Sequence, residues 1–340
     1  MTAVVREIEY ALPESVLSTE QLSVEFPEWS VEKVDEKTGI RERHIALPGE
    51  CASDLGLAAA EKLFDAGRCP RESIDFLLFC TQSPDYFLPT TACLLQHRLE
   101  LDTGTGALDF NLGCSGYIYG LGLAQGLIET GQASNVLLIT AETYSKFIHP
   151  RDRSVRTIFG DAAAATWISA APESESSLGP YIYGTDGRGG PNLMVPAGGL
   201  RQPHTSETAR ESTDESGNVR SADNLYMNGP EVFAFTMQVV PGLVRDLLTK
   251  ASMGWDDIDL VIFHQANRYM LEHLRRAIRI PEEKFYLSFS HCGNTVSSTL
   301  PIALHHAVRE GRVKEGSRVM LVGFGVGYSW GGTILRWLNG

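Results

Sequence analysis

The strongest constraint on this chain is a weak internal repeat. Arg71-Glu72-Ser73-Ile74-Asp75 leads into the apolar run Phe76-Leu77-Leu78-Phe79 and then Cys80. Trp255-Asp256-Asp257-Ile258-Asp259 leads in the same way into Leu260-Val261-Ile262-Phe263 and then His264. Further on, Cys114 opens a helical stretch that stops at Glu129-Thr130-Gly131, ahead of the apolar run from Val136 to Thr140. Asn294 opens one that stops at Arg309-Glu310-Gly311, ahead of the run from Arg318 to Val322, and the two stretches have the same length. Strand, helix and strand in the same order twice imply right-handed crossovers and mostly parallel sheets. The expected fold is therefore α/β, with two like halves over 1–170 and 225–340. They pack face to face around two nearly uncharged helices, and a linker with a long surface loop fills 171–224.

The stretch Ala107 to Thr140 carries the first chemical signal. A short apolar run ends at Phe110, the chain turns at Gly113-Cys114, and no charge follows until Glu129. Such a segment reads as a helix buried all round. Gly116, Gly120 and Gly126 each cost a helix about 1 kcal/mol against Ala, so something, expected to be another backbone, packs close to them. Cys114 sits where a strand hands over to this helix. The helix N-terminus there favours thiolate over thiol. The context is that of a nucleophile elbow without the G-x-S-x-G pattern. A buried structural cysteine is the competing reading.

Bulk properties exclude other classes. At 340 residues, with 43% hydrophobic and 21% charged, the chain has ample core for about two domains. No membrane span is expected, and the charged start MTAVVREIEY lacks a signal-peptide core. The expected location is cytoplasmic. Six cysteines show neither paired spacing nor CxxC, so thiols rather than disulfides are expected, and no metal site. A net charge of −13 argues against nucleic acid. The segment Gly198 to Asp223 has little to bury and reads as a long, partly disordered surface loop. The glycine-rich Gly184 to Gly190 does not run from a strand into a helix, so it is not a phosphate cradle.

The repeat places Cys114, His264 and Asn294 at strand ends on one edge of the two sheets, where α/β folds bind ligands. Together they suit acyl chemistry, with thiolate attack on a polarised carbonyl. Taken singly, His264 could be a satisfied core histidine and Asn294 a helix N-cap. Their joint placement by one duplication favours chemistry. A papain-like protease would carry Cys-Gly-Ser-Cys-Trp near its start, which is absent.

Thr38-Gly39-Ile40-Arg41-Glu42-Arg43, Gly113-Cys114-Ser115-Gly116, Asp152-Arg153, Phe159-Gly160-Asp161, His264-Gln265-Ala266-Asn267, Gly293-Asn294-Thr295 and Gly325-Val326-Gly327-Tyr328-Ser329-Trp330-Gly331 together resemble the β-ketoacyl-acyl-carrier-protein synthase III family of the thiolase superfamily. The resemblance runs from Met1 to Trp337. It implies a thiolase-like five-layered αβαβα fold and a homodimer, with thioesters of coenzyme A or of acyl-carrier phosphopantetheine as substrates and no tightly bound cofactor. It implies that Cys114 takes an acyl group. His264 and Asn294 then stabilise the enolate of a decarboxylating malonyl-carrier thioester, and the N–H groups of Cys114 and Val326 form an oxyanion hole. By the same resemblance Leu88, Phe159, Met227 and Phe324 line the acyl pocket, Leu88 by reaching across the dimer. Lys37, Arg153, Gly229 and Asn267 would contact coenzyme A or pantetheine.

Two departures narrow this. Lys33 stands where an ungapped reading expects the family's adenine-stacking tryptophan, and Pro230 follows Gly229 where Asn is usual. Both weaken a standard coenzyme A grip and lean toward a specialised pathway. Leu88 in place of the common Phe leaves room for a longer acyl chain. Arg268, Arg275, Arg276 and Arg279 follow His264 on a predicted helix. Three of them share a face, a candidate dock for an acidic acyl carrier protein. An acyltransferase passing the Cys114-bound acyl group to an O, N or S nucleophile is the alternative. The presence of Asn294 favours condensation.

Overall fold

The structure, a computed structural model, describes residues 1–338. Its first five-stranded sheet holds β1 (Thr2–Ala11), β2 (Phe76–Cys80), β3 (Gly106–Phe110), β4 (Asn135–Glu142) and β5 (Ala162–Ala171), in the spatial order β1-β5-β4-β2-β3. Its second holds β6 (Leu178–Thr185), β7 (Leu260–Phe263), β8 (Phe285–Tyr286), β9 (Arg318–Gly325) and β10 (Ser329–Arg336), in the order β6-β10-β9-β7-β8. Adding five to each label of the first order gives the second. The duplication is thus complete at the level of topology.

The helices that make the other layers are α1 (Ala52–Asp65), α2 (Thr91–Arg98), α3 (Gly116–Glu129), α4 (Gly229–Ala251), α5 (Arg268–Ile278) and α6 (Thr299–Arg309). Helices α1 and α2 cover the outer face of the first sheet, and α4 with α5 packed beside it covers that of the second. Helices α3 and α6 lie between, each touching strands of both sheets. The result is the expected five-layered αβαβα fold.

Four expectations need correction. The sheets are mixed, because β1, β5 and β4 pair antiparallel, as do β6, β10 and β9. The turn from β9 to β10 is too short for a helical crossover, so the chain returns antiparallel. Strand β6 falls inside the range expected as linker (171–224), so the second half starts at Leu178 rather than 225. Its sequence LGPYIYGT hides it: Pro180 and two glycines are tolerated because β6 is an edge strand. Helix α3 is not buried all round, since Leu123 is 42% exposed. Nor does backbone press on its glycines. A Cβ at Gly116 would meet Cys80 Sγ at 2.4 Å, one at Gly120 would meet Leu138 at 2.7 Å, and one at Gly126 would meet open space.

The loop from 198 to 223 does more than expected. Arg220 Nε pairs with Asp152 at 2.6 Å and its Nη2 with Asp214 at 2.9 Å, while Glu211 takes both His149 and Arg151. Ser212–Thr213 pairs with Val219–Arg220, and Val219 is buried. Ion pairs, not apolar area, fasten this segment onto residues 149–153. Helix α4 is long and apolar enough by composition to cross a bilayer. Here it lies on the second sheet and buries Val232, Phe235, Val240, Leu243 and Leu247 there.

Candidate active site

Cys114 lies in the turn between β3 and α3, two residues ahead of the helix, and is 5% exposed. The end of β9 closes over it. A Cβ on Gly323 would stand 2.7 Å from Cys114 O, and one on Gly325 would stand 2.7 Å from Cys114 Sγ. Only glycine lets the backbone come so near. The Val326 N–H donates to the thiol from this loop. Burial pushes the Cys114 thiol up to about 12, against the N–H groups of Val326 and Cys114 itself, which pull it down. This corrects the expectation of a thiolate favoured by the helix end: desolvation of the charge outweighs it.

His264 follows β7 and is tied by its N–H to Val322 O at 2.8 Å. Asn294 sits in the matching elbow, where Gly293 adopts φ +75° with Ile158 O against it. The Asn294 backbone is stitched into the first half: its N–H donates to Ile158 O at 3.0 Å, and Gly160 N–H donates to its carbonyl at 3.1 Å. Its side-chain Oδ1 accepts the Val296 N–H at 3.0 Å, which turns Nδ2 toward His264 Nε2, 3.4 Å away. Asn294 is thus not the helix N-cap, a place held by Ser298; its amide holds the Val296 turn and faces His264.

Thr299 Oγ1 stands 2.7 Å from His264 Nδ1. That hydroxyl also lies 3.1 Å from Val296 O, to which it donates; with its hydrogen turned to Nδ1 instead, Nε2 carries the ring proton. His264 and Asn294 then present two N–H donors side by side to one acceptor. Burial pushes His264 down to about 3, so the ring is a neutral donor at physiological pH. Sequence reasoning missed Thr299. No motif marks it, because it meets the histidine only through the fold.

Cys114, His264 and Asn294 line one cavity of about 360 Å³, together with Phe159, Met227 and Phe324. Gly229 and Asn267 line it too, and Asn267 also caps α5 through the Met270 N–H at 2.9 Å. Leu88 does not reach the cavity of its own chain and is 85% exposed. Lys37 and Arg153 also lie outside that cavity. Arg153 is held by Glu28 and by Ser216 O. Lys33 and Lys37 stand over the Trp29 ring at 5.5 and 5.6 Å. Trp29 was missed by the ungapped reading, although its spacing of one and two helical turns from the lysines is visible in the sequence.

The arginine face comes apart. Arg268 pairs with Asp35 at 3.2 Å, and Arg275 with Glu272 at 3.1 Å and Glu282 at 3.5 Å. Arg279 leaves the helix as its left-handed cap at φ +62°. Of the four, Arg276 and Arg279 are the well-exposed ones. Among the described residues no His, Cys, Asp and Glu cluster could hold a metal, and no cysteine is bridged.

A duplicated five-layered fold, with a buried cysteine at one elbow and a His–Asn donor pair at its copy, defines a thiolase-type acyl-condensing enzyme. Comparison with known proteins narrows the class. Residues 108–187 match the sequence model of 3-oxoacyl-[acyl-carrier-protein (ACP)] synthase III, and residues 248–337 match that of its C-terminal region. The chain is 36% identical over 326 residues to the β-ketoacyl-[acyl-carrier-protein] synthase III of Caldanaerobacter subterraneus subsp. tengcongensis, covering 96% of this chain and 95% of the relative. Among solved structures, a 3-oxoacyl-(acyl-carrier-protein) synthase III superposes with a TM-score of 0.98 at 53% identity, over 99% of this chain and 100% of the other. A 3-oxoacyl-(acyl-carrier protein) synthase from Burkholderia xenovorans LB400 does so with a TM-score of 0.91 at 35% identity, over 99% and 95%. The chain belongs to the β-ketoacyl-acyl-carrier-protein synthase III family, and it is a condensing enzyme.

Proposed function

We propose that the condensation runs through Cys114 as follows. The Cys114 sulfur attacks an acyl thioester, its proton leaves with the departing thiol, and an acyl-cysteine forms. A malonyl-carrier thioester then enters. As CO₂ departs, the electron pair collects on the thioester oxygen, which accepts from His264 Nε2–H and Asn294 Nδ2–H. The resulting carbon nucleophile attacks the acyl-cysteine carbonyl, whose oxygen is taken by the N–H groups of Cys114 and Val326. Collapse expels the Cys114 sulfur, which regains a proton, and releases a β-ketoacyl thioester. The observation that carries this is the placing of the Cys114 thiol, the His264 imidazole and the Asn294 amide on one cavity.

The acyl group would lie among Phe159, Met227 and Phe324, and the pantetheine arm would pass Gly229 and Asn267. The engagement of Arg153 by Glu28 and Ser216 supports a donor gripped by its pantetheine rather than by the nucleotide of coenzyme A. Arg276 and Arg279 are the arginines left to meet an acidic carrier protein. A homodimer is supported by Tyr86, Phe87 and Leu88, exposed at 62%, 79% and 85%, and by the edge strand β3 with Leu108 at 46%. In such a dimer Leu88 would enter the partner's acyl pocket. A cytoplasmic place in fatty acid biosynthesis fits the thiols and the relatives.

Intact-protein mass spectrometry tests this directly. Acyl-coenzyme A and acyl-carrier donors of graded length are offered first, then malonyl-carrier protein. The expected result is one acyl mass on Cys114 that malonyl-carrier removes with release of CO₂. Loading without removal would overturn condensation.

A further inference from the structure

Beneath the cavity lies a carboxyl group that the chemistry above does not use. Glu142 ends β4 and is fully buried. Gln82 N–H donates to its Oε1 and Oε2 at 3.2 and 3.1 Å, Ser83 Oγ donates to Oε2 at 3.0 Å, and Ser297 Oγ donates to Oε1 at 3.1 Å. These partners come from different halves. Gln82 and Ser83 follow β2, whereas Ser297 belongs to the turn that presents Asn294.

That turn is strained. Val296, a β-branched residue, stands at φ +55°, in the left-handed region that side chains such as its own avoid. Such a conformation persists only where its neighbours hold it. On one side Asn294 Oδ1 accepts the Val296 N–H at 3.0 Å. On the other, Ser297 is anchored on Glu142. The first-half end of the same network reaches the nucleophile's elbow. Gln82 Nε2 donates to Asn111 Oδ1 at 3.0 Å, its Oε1 accepts from Tyr144 OH at 2.5 Å, and a Cβ on Gly113 would touch that Oε1.

We propose that Glu142 is a positioning residue for the malonyl half-reaction: by holding Ser297 it keeps the strained Val296 turn, and with it the Asn294 amide, in register with the cysteine elbow of the other half. The inference rests on the condensation reading. A carboxylate accepts from all three groups at once, whereas a neutral amide would turn an N–H toward one side and need a serine hydroxyl to reverse its bond. Burial pushes Glu142 up to about 8, and the groups whose charge reaches it, Cys80, Cys114, Tyr144 and Asp161, are all acids. Ionisation therefore falls near pH 8, and the turn is held most firmly above it.

Two half-reactions separate positioning from general damage. Acyl loading of Cys114 is followed by mass spectrometry, and CO₂ release from malonyl-carrier protein is measured on the loaded enzyme. Glu142→Gln and Ser297→Ala are compared with wild type. Ser297→Ala removes one hydroxyl and leaves the carboxyl with Gln82 and Ser83, so it carries the test even where Glu142→Gln folds poorly. Loading is expected to stay within about threefold while CO₂ release falls about ten- to hundredfold. Wild-type CO₂ release is expected to rise through about pH 8, and Glu142→Gln to lose that step. Equal loss of both half-reactions, no loss of either, or coincident pH profiles would overturn the proposal. Wild type that loads but releases no CO₂ would instead overturn condensation itself.

Discussion

At Asn294 the amide is divided between two duties, Oδ1 on the Val296 N–H and Nδ2 toward the pocket beside His264. Asn294→Ala would remove one of the two proposed enolate donors. At comparable oxyanion sites that costs about 10²- to 10³-fold, and the loss should fall on CO₂ release while acyl loading of Cys114 continues. Cys114 itself makes a second prediction. With its thiol pushed up to about 12, little thiolate exists at neutral pH. Alkylation by iodoacetamide, mapped to the Cys114 peptide, should therefore rise about tenfold per pH unit from 7 to 10. A plateau near the ordinary cysteine value of about 8.5 would contradict it. At this scale the sequence was informative about identities and poor about electrostatics. The repeat picked out Cys114, His264 and Asn294, but burial, which sets the charge state of two of them, is a property of packing. Arg43 shows the same limit. It appears in a recognisable run, yet only the fold reveals a fully buried guanidinium donating to Thr157 O at 2.9 and 2.5 Å and to Thr19 Oγ1 at 2.8 Å. Its Cγ lies under Gly293, so it supports the Asn294 loop.

Among the elements, the strand β9 and the helix α3 respond to a methyl group in opposite ways. A Cβ on Gly323 would stand 2.7 Å from Cys114 O and 2.8 Å from Ser115 Cα, both backbone atoms that cannot swing aside. Gly323→Ala should destabilise the protein by about 1–3 kcal/mol, the usual cost of overpacking, and lower acyl loading with it. Gly126→Ala meets nothing and should gain about 1 kcal/mol of helix propensity. Urea midpoints of the two variants moving the same way would refute the contrast. Strands that repeat an apolar run were legible, and so were the two central helices. Strand β6 was not, because an edge strand with one buried face can carry Pro180 and glycines. Its membership of the second sheet is written in its hydrogen bonds to β10, not in its residues. The arginine face was read as continuous because spacing shows where side chains project and not which carboxylates meet them.

Over the whole molecule, the seam between the halves carries a cluster of histidines. His306 on α6 has its ring 4.8 Å from His291 and 5.7 Å from His305, and its Nε2 lies 3.0 Å from Tyr10 OH on β1. Burial, with His291 and His305 beside it, pushes His306 down to about 4 from 6.5, and burial and His44 push His291 down as well. A depressed histidine supports the fold above its unfolded value and ceases to do so as pH falls through its folded value. Wild type should therefore lose stability relative to His306→Gln between about pH 6.5 and 4, read as the gap between their urea midpoints. A gap that is constant over that range would contradict it. Acid thus acts where first-half β1 meets second-half α6. The duplication that builds this seam was the most legible property of the sequence, since it is carried by the order of apolar runs. The boundary between the halves was not, because each half interrupts itself directly after its first strand, at 12–51 and at 186–228.

Those two interruptions leave from equivalent strand ends and return at the first outer helix of their half, so neither cuts through a sheet. For protein engineering this makes them natural cassettes. Either could be exchanged for the matching segment of a relative without recutting the sheets, and the transplant would change what the enzyme admits and whom it meets. Cys114, His264 and Asn294 would keep their places on strand ends and central elbows, while each cassette carries a neighbour of the site, Arg43 under Gly293 and Met227 on the cavity wall.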